Sequence, residues 1–100
     1  MLNQINEIII RQRINLDDTN LFCSNCCLTR FPGSLLERAE LSEYWSRLSR
    51  LYLNNNRLTV LPAEIERLRA LYILSLDDNQ LTTLPEQIGK LKNLSFLLLD

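Results

Sequence analysis

Histidine is absent from this chain of 100 residues, and glycine occurs only twice, at Gly33 and Gly89. Without histidine, His-based catalytic triads, histidine metal ligands and the commonest general base are excluded. With so little glycine, neither a Walker loop nor a dinucleotide-binding fingerprint can be written. Neither enzymatic activity nor a cofactor is expected. An excess of charge is missing too, with 11 basic against 12 acidic residues, a net charge of −1 and a pI of about 5.4. Such a balance offers no electrostatic footprint for nucleic acid. No apolar run is long enough to span a bilayer, so no membrane partner is expected. Ile8-Ile9-Ile10 is far shorter than the apolar core of a signal peptide and follows Glu7 instead of a basic segment. Together these features favour the cytoplasm.

What remains is leucine in a fixed rhythm. Hydrophobic residues make up 46% of the chain, enough for the core of one small unit. When residues 51–71 are laid over 74–94, ten of 21 positions are identical. They are Leu51/Leu74, Leu53/Leu76, Asn56/Asn79, Leu58/Leu81, Thr59/Thr82, Leu61/Leu84, Pro62/Pro85, Ile65/Ile88, Leu68/Leu91 and Leu71/Leu94. Nearly all are apolar or conformationally special, as expected where a core recurs and its outward positions vary. In L-x-L the leucines have period 2, which puts both on one face of a short strand. The following L-P-x-x-I-x-x-L has a period of three to four, with proline at a turn or first helical position. Neither piece can bury its leucines alone, so stacked coils must share one core.

The unit L-x-x-L-x-L-x-x-N-x-L-x-x-L-P-x-x-I-x-x-L resembles the leucine-rich repeat family in its 23-residue form. It covers residues 48–99 strongly and 21–35 weakly. The resemblance implies an α/β fold, a right-handed solenoid with a short parallel sheet on its concave face and helical segments on its convex face. It also implies that Asn56 and Asn79 satisfy backbone groups of the turns between coils. Protein binding is the activity it implies.

An earlier, degenerate copy begins at Leu21, with Cys23 at the second strand-leucine position and Cys26 at the structural asparagine position. Cys26 and Asn56 are 30 residues apart, seven more than the standard coil, and seven residues make about two helical turns. Ser34 and Glu37 have the spacing of a capping box. Leu41, Tyr44, Trp45 and Leu48 follow at helical intervals, which predicts one helix over about 35–47 with Trp45 as its packing anchor. Residues 1–20 read as an N-terminal helical cap, with Asn3 as N-cap and Leu2, Ile5 and Ile9 on its inner side. The remaining segments are the long repeat 21–50, the repeats 51–73 and 74–96, and the start of a further strand at 97–100. Leu97 and Leu99 are expected at an open solenoid end, beside an unpaired strand edge.

Three thiols in Cys23-Ser-Asn-Cys26-Cys27 invite a zinc reading. The repeat register already uses two of them, and no second cysteine pair or histidine completes four ligands. An odd count of cysteines fits a reducing compartment better than a disulfide scaffold. Asp77-Asp78 reads as a solvated strand end or a contact for a basic partner group, and Arg67, Arg69, Lys90 and Lys92 as a solvated basic edge.

Once the strand leucines point inward, the residues between them must point out. One outward column holds Phe22, Tyr52, Ser75 and Leu98. Its neighbour holds Asn20, Arg50, Ile73 and Phe96, with Tyr72 just before, and a third holds Ser24, Asn54, Asp77 and Asp100. Clustered apolar surface marks an interface, and Tyr and Arg are common anchors. The expected partner-binding residues are Phe22, Arg50, Tyr52, Asn54, Tyr72, Ile73, Ser75, Asp77, Phe96 and Leu98; Asn56, Asn79 and Cys26 are structural, and Asn55 is assigned to neither group. The partner is expected to be another protein, an enzyme among the candidates, blocked or regulated by docking in the manner of an inhibitor. Similar repeats occur in adaptors and in short proteins that intracellular bacterial pathogens deliver, so a host cytosol is a second expected location. The alternatives are the recognition segment of a longer enzyme, such as a ubiquitin ligase or kinase, and a self-associating structural module using the C-terminal edge.

Overall fold

The computed structural model describes residues 2–99, with the side chains of Leu2 and Asn3 left aside. The N-cap role expected of Asn3, the inward side chain of Leu2 and the placement of Asp100 lie outside the described residues. Four parallel strands form one sheet in sequence order: β1 (Asn20–Phe22), β2 (Arg50–Tyr52), β3 (Ile73–Ser75) and β4 (Phe96–Leu98). Their central leucines, Leu21, Leu51, Leu74 and Leu97, are register partners. The first three are fully buried. Each strand contributes only three paired residues, so the sheet is held by what lies behind it.

Behind it is a leucine core completed by Leu28, Leu53, Leu58, Leu61, Ile65, Leu68, Leu71 and Leu76. Removing a fully buried leucine from water is worth about 1.5–3 kcal/mol. Backbone bonds continue the ladder past the strands, from Cys23 N to Tyr52 O and from Leu53 N to Ser75 O, both 2.9 Å. Pro32, Pro62 and Pro85 are extended residues immediately before helical segments; of the two places expected, they take the turn and not the first helical position. In the two standard coils these segments are 3-10 helices, Ala63–Arg67 and Glu86–Lys90. A 3-10 helix rises faster per residue than an α-helix, which suits a connection of only five residues.

The long coil departs from the expected single helix over 35–47. It divides into α2 (Gly33–Leu36), a 3-10 turn (Ala39–Leu41) and α3 (Ser42–Arg47). The break at Arg38, with ψ 121°, has a packing cause. Leu35 and Tyr44 are nine residues apart, so a straight helix would set them about 180° apart. Both are buried, and only a broken path lets both face the core. The Ser34 capping box is also absent: Pro32 is the N-cap, and no side chain caps the helix. Trp45 is 1% exposed, donates Nε1–H to the Leu35 carbonyl at 3.0 Å and meets Phe31 and Tyr44 edge-on.

Helix α1 (Leu2–Arg13) lies against the first coil. Its buried row is Asn6 and Ile10, while Ile5 is 51% exposed and Ile9 half-buried, which corrects the expected Ile5 face. Asn6 explains the rotation. Its amide donates to Thr29 Oγ1 and accepts from Thr29 N, each at 3.0 Å, pinning that row inward. Outside the contact, Glu7 accepts from Arg11 and Arg38 at 3.3 and 3.1 Å, and Arg11 reaches Glu40 at 3.0 Å.

Candidate functional site: the solvent face of the sheet

The turns after β1, β2 and β3 share a left-handed residue, and the first adds another at Cys27, with φ of 56°. Asn25, Asn55 and Asp78 hold the left-handed conformation, with φ of 57°, 59° and 57°. Asn and Asp tolerate this region better than other residues with a Cβ. The reversal brings the next asparagine inward. Asn56 Oδ1 accepts from the amides of Cys26 and Leu28 at 3.0 and 2.9 Å, and its Nδ2 donates to the carbonyls of Cys23 and Leu53 at 2.8 and 2.9 Å. Asn79 repeats the pattern one coil on, accepting from Leu58 N and donating to Leu53 O and Leu76 O, each at 2.9 Å. Cys26 is half-buried, and its thiol donates to Ser24 O at 3.4 Å.

These turns hold the strands in register, and register builds the outward rows. In the upper row Phe22 pairs with Tyr52, Tyr52 with Ser75 and Ser75 with Leu98. In the lower row Asn20, Arg50, Ile73 and Phe96 are partners in turn. Neighbouring strands lie about 4.8 Å apart, so aromatic partners stand at stacking distance. The rings of Phe22 and Tyr52 are parallel to within 1° at 5.0 Å. Tyr72 and Phe96, offset by one residue, meet edge-on at 5.5 Å instead. Phe22, Phe96, Leu98 and Tyr72 are 54%, 50%, 48% and 40% exposed. Arg50 is exposed, and Tyr52 and Ile73 are half-buried.

Ser75 does not belong among the exposed residues. It is 4% exposed, because its short side chain sits in the row between the larger Tyr52 and Leu98, and its hydroxyl donates to Asp77 Oδ1 at 2.7 Å. Asn54 is similarly committed on one side, its Oδ1 accepting the Ser24 hydroxyl at 2.6 Å. Asn54 and Asp77 are both half-buried. A recess of about 360 Å³ opens beside Asp77, lined otherwise by Leu97, Leu98 and Leu99.

Elsewhere, burial pushes the Cys23 thiol up to about 12, helped by the charge of Cys26 and opposed by Arg13. Burial likewise raises the Tyr44 hydroxyl to about 12. Both groups belong to the core, so neither supplies a reactive group to the sheet face. Among the described residues, no group of three or more Cys, Asp or Glu is placed to hold a metal ion. Nor is any helix among them long and apolar enough to cross a membrane.

The left-handed turn positions went unrecognised in the sequence, although Asn25, Asn55 and Asp78 stand in one column and carry the appropriate side chains. Asn6 was missed for a different reason: an asparagine inside a helix carries no local sign that it will meet Thr29.

A family model for the leucine rich repeat matches residues 46–100. Among solved structures, a leucine-rich repeat protein of Leptospira interrogans is similar over 100% of this chain, with 27% identity and a TM-score of 0.50. The chain covers 34% of that protein, about a third of its length. The structure of the Chaetomium Mex67:Mtr2 subunits is similar over 97% of this chain and 89% of that one, with 19% identity and a TM-score of 0.43. No curated protein matches the chain. The recurring Asn and Leu-Pro spacing, the in-register parallel sheet of four strands and the matched family model agree, and the chain belongs to the leucine-rich repeat family.

Proposed function

We propose that this chain is a protein-binding module, without catalytic activity of its own, that docks a partner protein on the solvent face of its sheet. Leucine-rich repeat proteins generally mediate protein–protein interaction, and that family habit supports the reading. The observation that carries it is the cluster of Phe22, Tyr52, Tyr72, Phe96 and Leu98 on one face, four of them 40% exposed or more. A patch of this kind gains from being covered, and aromatic side chains are common anchors where it is. Here the sheet is the concave side of a right-handed solenoid, with α1 as the shield of its first coil. Residues 21–50, 51–73 and 74–96 are its coils. A rigid platform loses little ordering entropy on association, so stoichiometric docking is enough to block or regulate a partner such as an enzyme. Cytosol, bacterial or host, is the setting this reading favours.

The test is affinity capture from cell extracts with the wild-type chain and a Phe22→Ser/Tyr52→Ser variant of unchanged melting temperature. Proteins captured by the first and reduced at least about tenfold with the second support the reading. Equal capture by both overturns it.

A further inference from the structure

The apolar patch is not uncharged, and its two charges stand apart. Among the eight register-paired side chains of the two outward rows, Arg50 alone is charged. It is exposed, and no described carboxylate pairs with it. Asp18, two residues before β1, uses its Oδ1 to accept from the backbone and side-chain amides of Asn20, at 3.1 and 3.3 Å. At the far end of the face, Asp77 spends one oxygen on Ser75, and among the described residues no hydrogen bond or ion pair occupies the other. That carboxylate shares its recess of about 360 Å³ with three leucines. A lysine or arginine side chain has matching parts, an apolar stem and a charged head.

Resting on the docking reading above, we infer that the sheet face selects its partner by an ordered pair of charges. An acidic side chain of the partner meets Arg50, and a basic side chain enters the Asp77 recess. Arg50 pairs in register with Ile73, four residues before Asp77. At about 3.3 Å per residue along a strand and about 4.8 Å between strands, the backbone positions of the two residues are about 14 Å apart. An extended partner segment covers that span in about four residues. The occupant is therefore an extended protein segment with an acid and a base about four positions apart and an apolar residue between, over Tyr52. Arg suits the first contact because its planar fork grips a carboxylate with two parallel hydrogen bonds. Apolar neighbours strengthen the pair once the partner excludes water.

A random dodecapeptide library displayed on phage tests this against the wild-type chain, Arg50→Glu and Asp77→Lys, at low and at physiological salt. Wild type is expected to return peptides enriched in an acid and a base about four positions apart. Arg50→Glu should replace the acid by a base, and Asp77→Lys should remove the base. Individual wild-type peptides should lose about tenfold in affinity for either variant, the amount that corresponds to about 1.4 kcal/mol. An Arg50→Ala variant, with circular dichroism unchanged, checks that any loss is not unfolding. Selected peptides with no charge pair, the same preference with Arg50→Glu, or no selected peptides at all would overturn the inference. Peptides that lack the pair yet fail to bind Phe22→Ser/Tyr52→Ser leave the docking reading standing. Peptides indifferent to all these substitutions overturn both.

Discussion

The side-chain amides of Asn56 and Asn79 both donate to a single carbonyl, that of Leu53, each at 2.9 Å. One oxygen thus joins two successive coils, with both of its lone pairs in use. Asn56 is 8% exposed and also receives the amides of Cys26 and Leu28, whereas Asn79 is half-buried and receives Leu58 N. Replacing Asn56 by Ala strands more buried groups than the same change at Asn79. The expected loss in urea unfolding is about 3 kcal/mol for Asn56→Ala and about 1–2 kcal/mol for Asn79→Ala. Equal losses would show that the two bonds to Leu53 dominate and the amides add nothing.

The left-handed turns give a second prediction. At Asn55, with φ 59°, a β-branched residue meets the full steric penalty of that region. Asn55→Val should cost about 1–2 kcal/mol, while Asn55→Gly should stay within about 0.5 kcal/mol of wild type. Asp78 should behave in the same way. Denaturant titration of the four variants separates a backbone requirement from a side-chain one.

Alkaline pH supplies the third. Cys23 and Tyr44 have folded pKa values raised by burial to about 12, from ordinary values of 9.0 and 10.0. Between pH 9 and 12 the unfolded chain gives up these protons and the folded chain keeps them, so the folded state binds more protons than the unfolded. Stability is full below pH 9 and falls as pH rises toward 12. The Tyr44 hydroxyl is buried with no hydrogen-bond partner among the described residues. Tyr44→Phe should therefore leave stability at pH 7 unchanged or higher and flatten the fall above pH 10. A steeper fall in the variant would count against burial as the cause.

Hydrogen exchange provides the fourth. Leu58, Leu61, Ile65 and Leu71 are buried, whereas their counterparts Leu81, Leu84, Ile88 and Leu94 are only partly so. In a stack of coils, local opening follows local burial. The Leu53 amide, bonded to Ser75 O, should exchange at least about tenfold more slowly than the Leu76 amide, bonded to Leu98 O. Similar rates would mean that the described chain opens as one unit.

Strand placement was legible because period 2 is a local property: Leu51 and Leu53, Leu74 and Leu76 announce their face without knowledge of neighbours. The outward rows follow by alternation, apart from Ser75, whose burial depends on the size of Tyr52 and Leu98 in other strands. The break at Arg38 was not legible. Its cause is that Leu35 and Tyr44 must reach one core, and helical spacing over 41–48 is the same in a broken helix as in a straight one. Ile5 misled for a related reason, since the roll of α1 is set by Asn6 against Thr29, 23 positions away.

Leu21 pairs with Leu51 across a 30-residue step, and Leu51 pairs with Leu74 across one of 23, yet both pairings are in the same register. The extra seven residues are taken up entirely on the helical side, between turns whose asparagines clamp backbone to backbone. Each coil therefore behaves as a belt buckled at the turn, with slack let out only at the back. Foreign segments grafted into the exposed bend between Leu36 and Leu41 should leave the ordering of the outward rows untouched, making that bend the place to add tags or reporters.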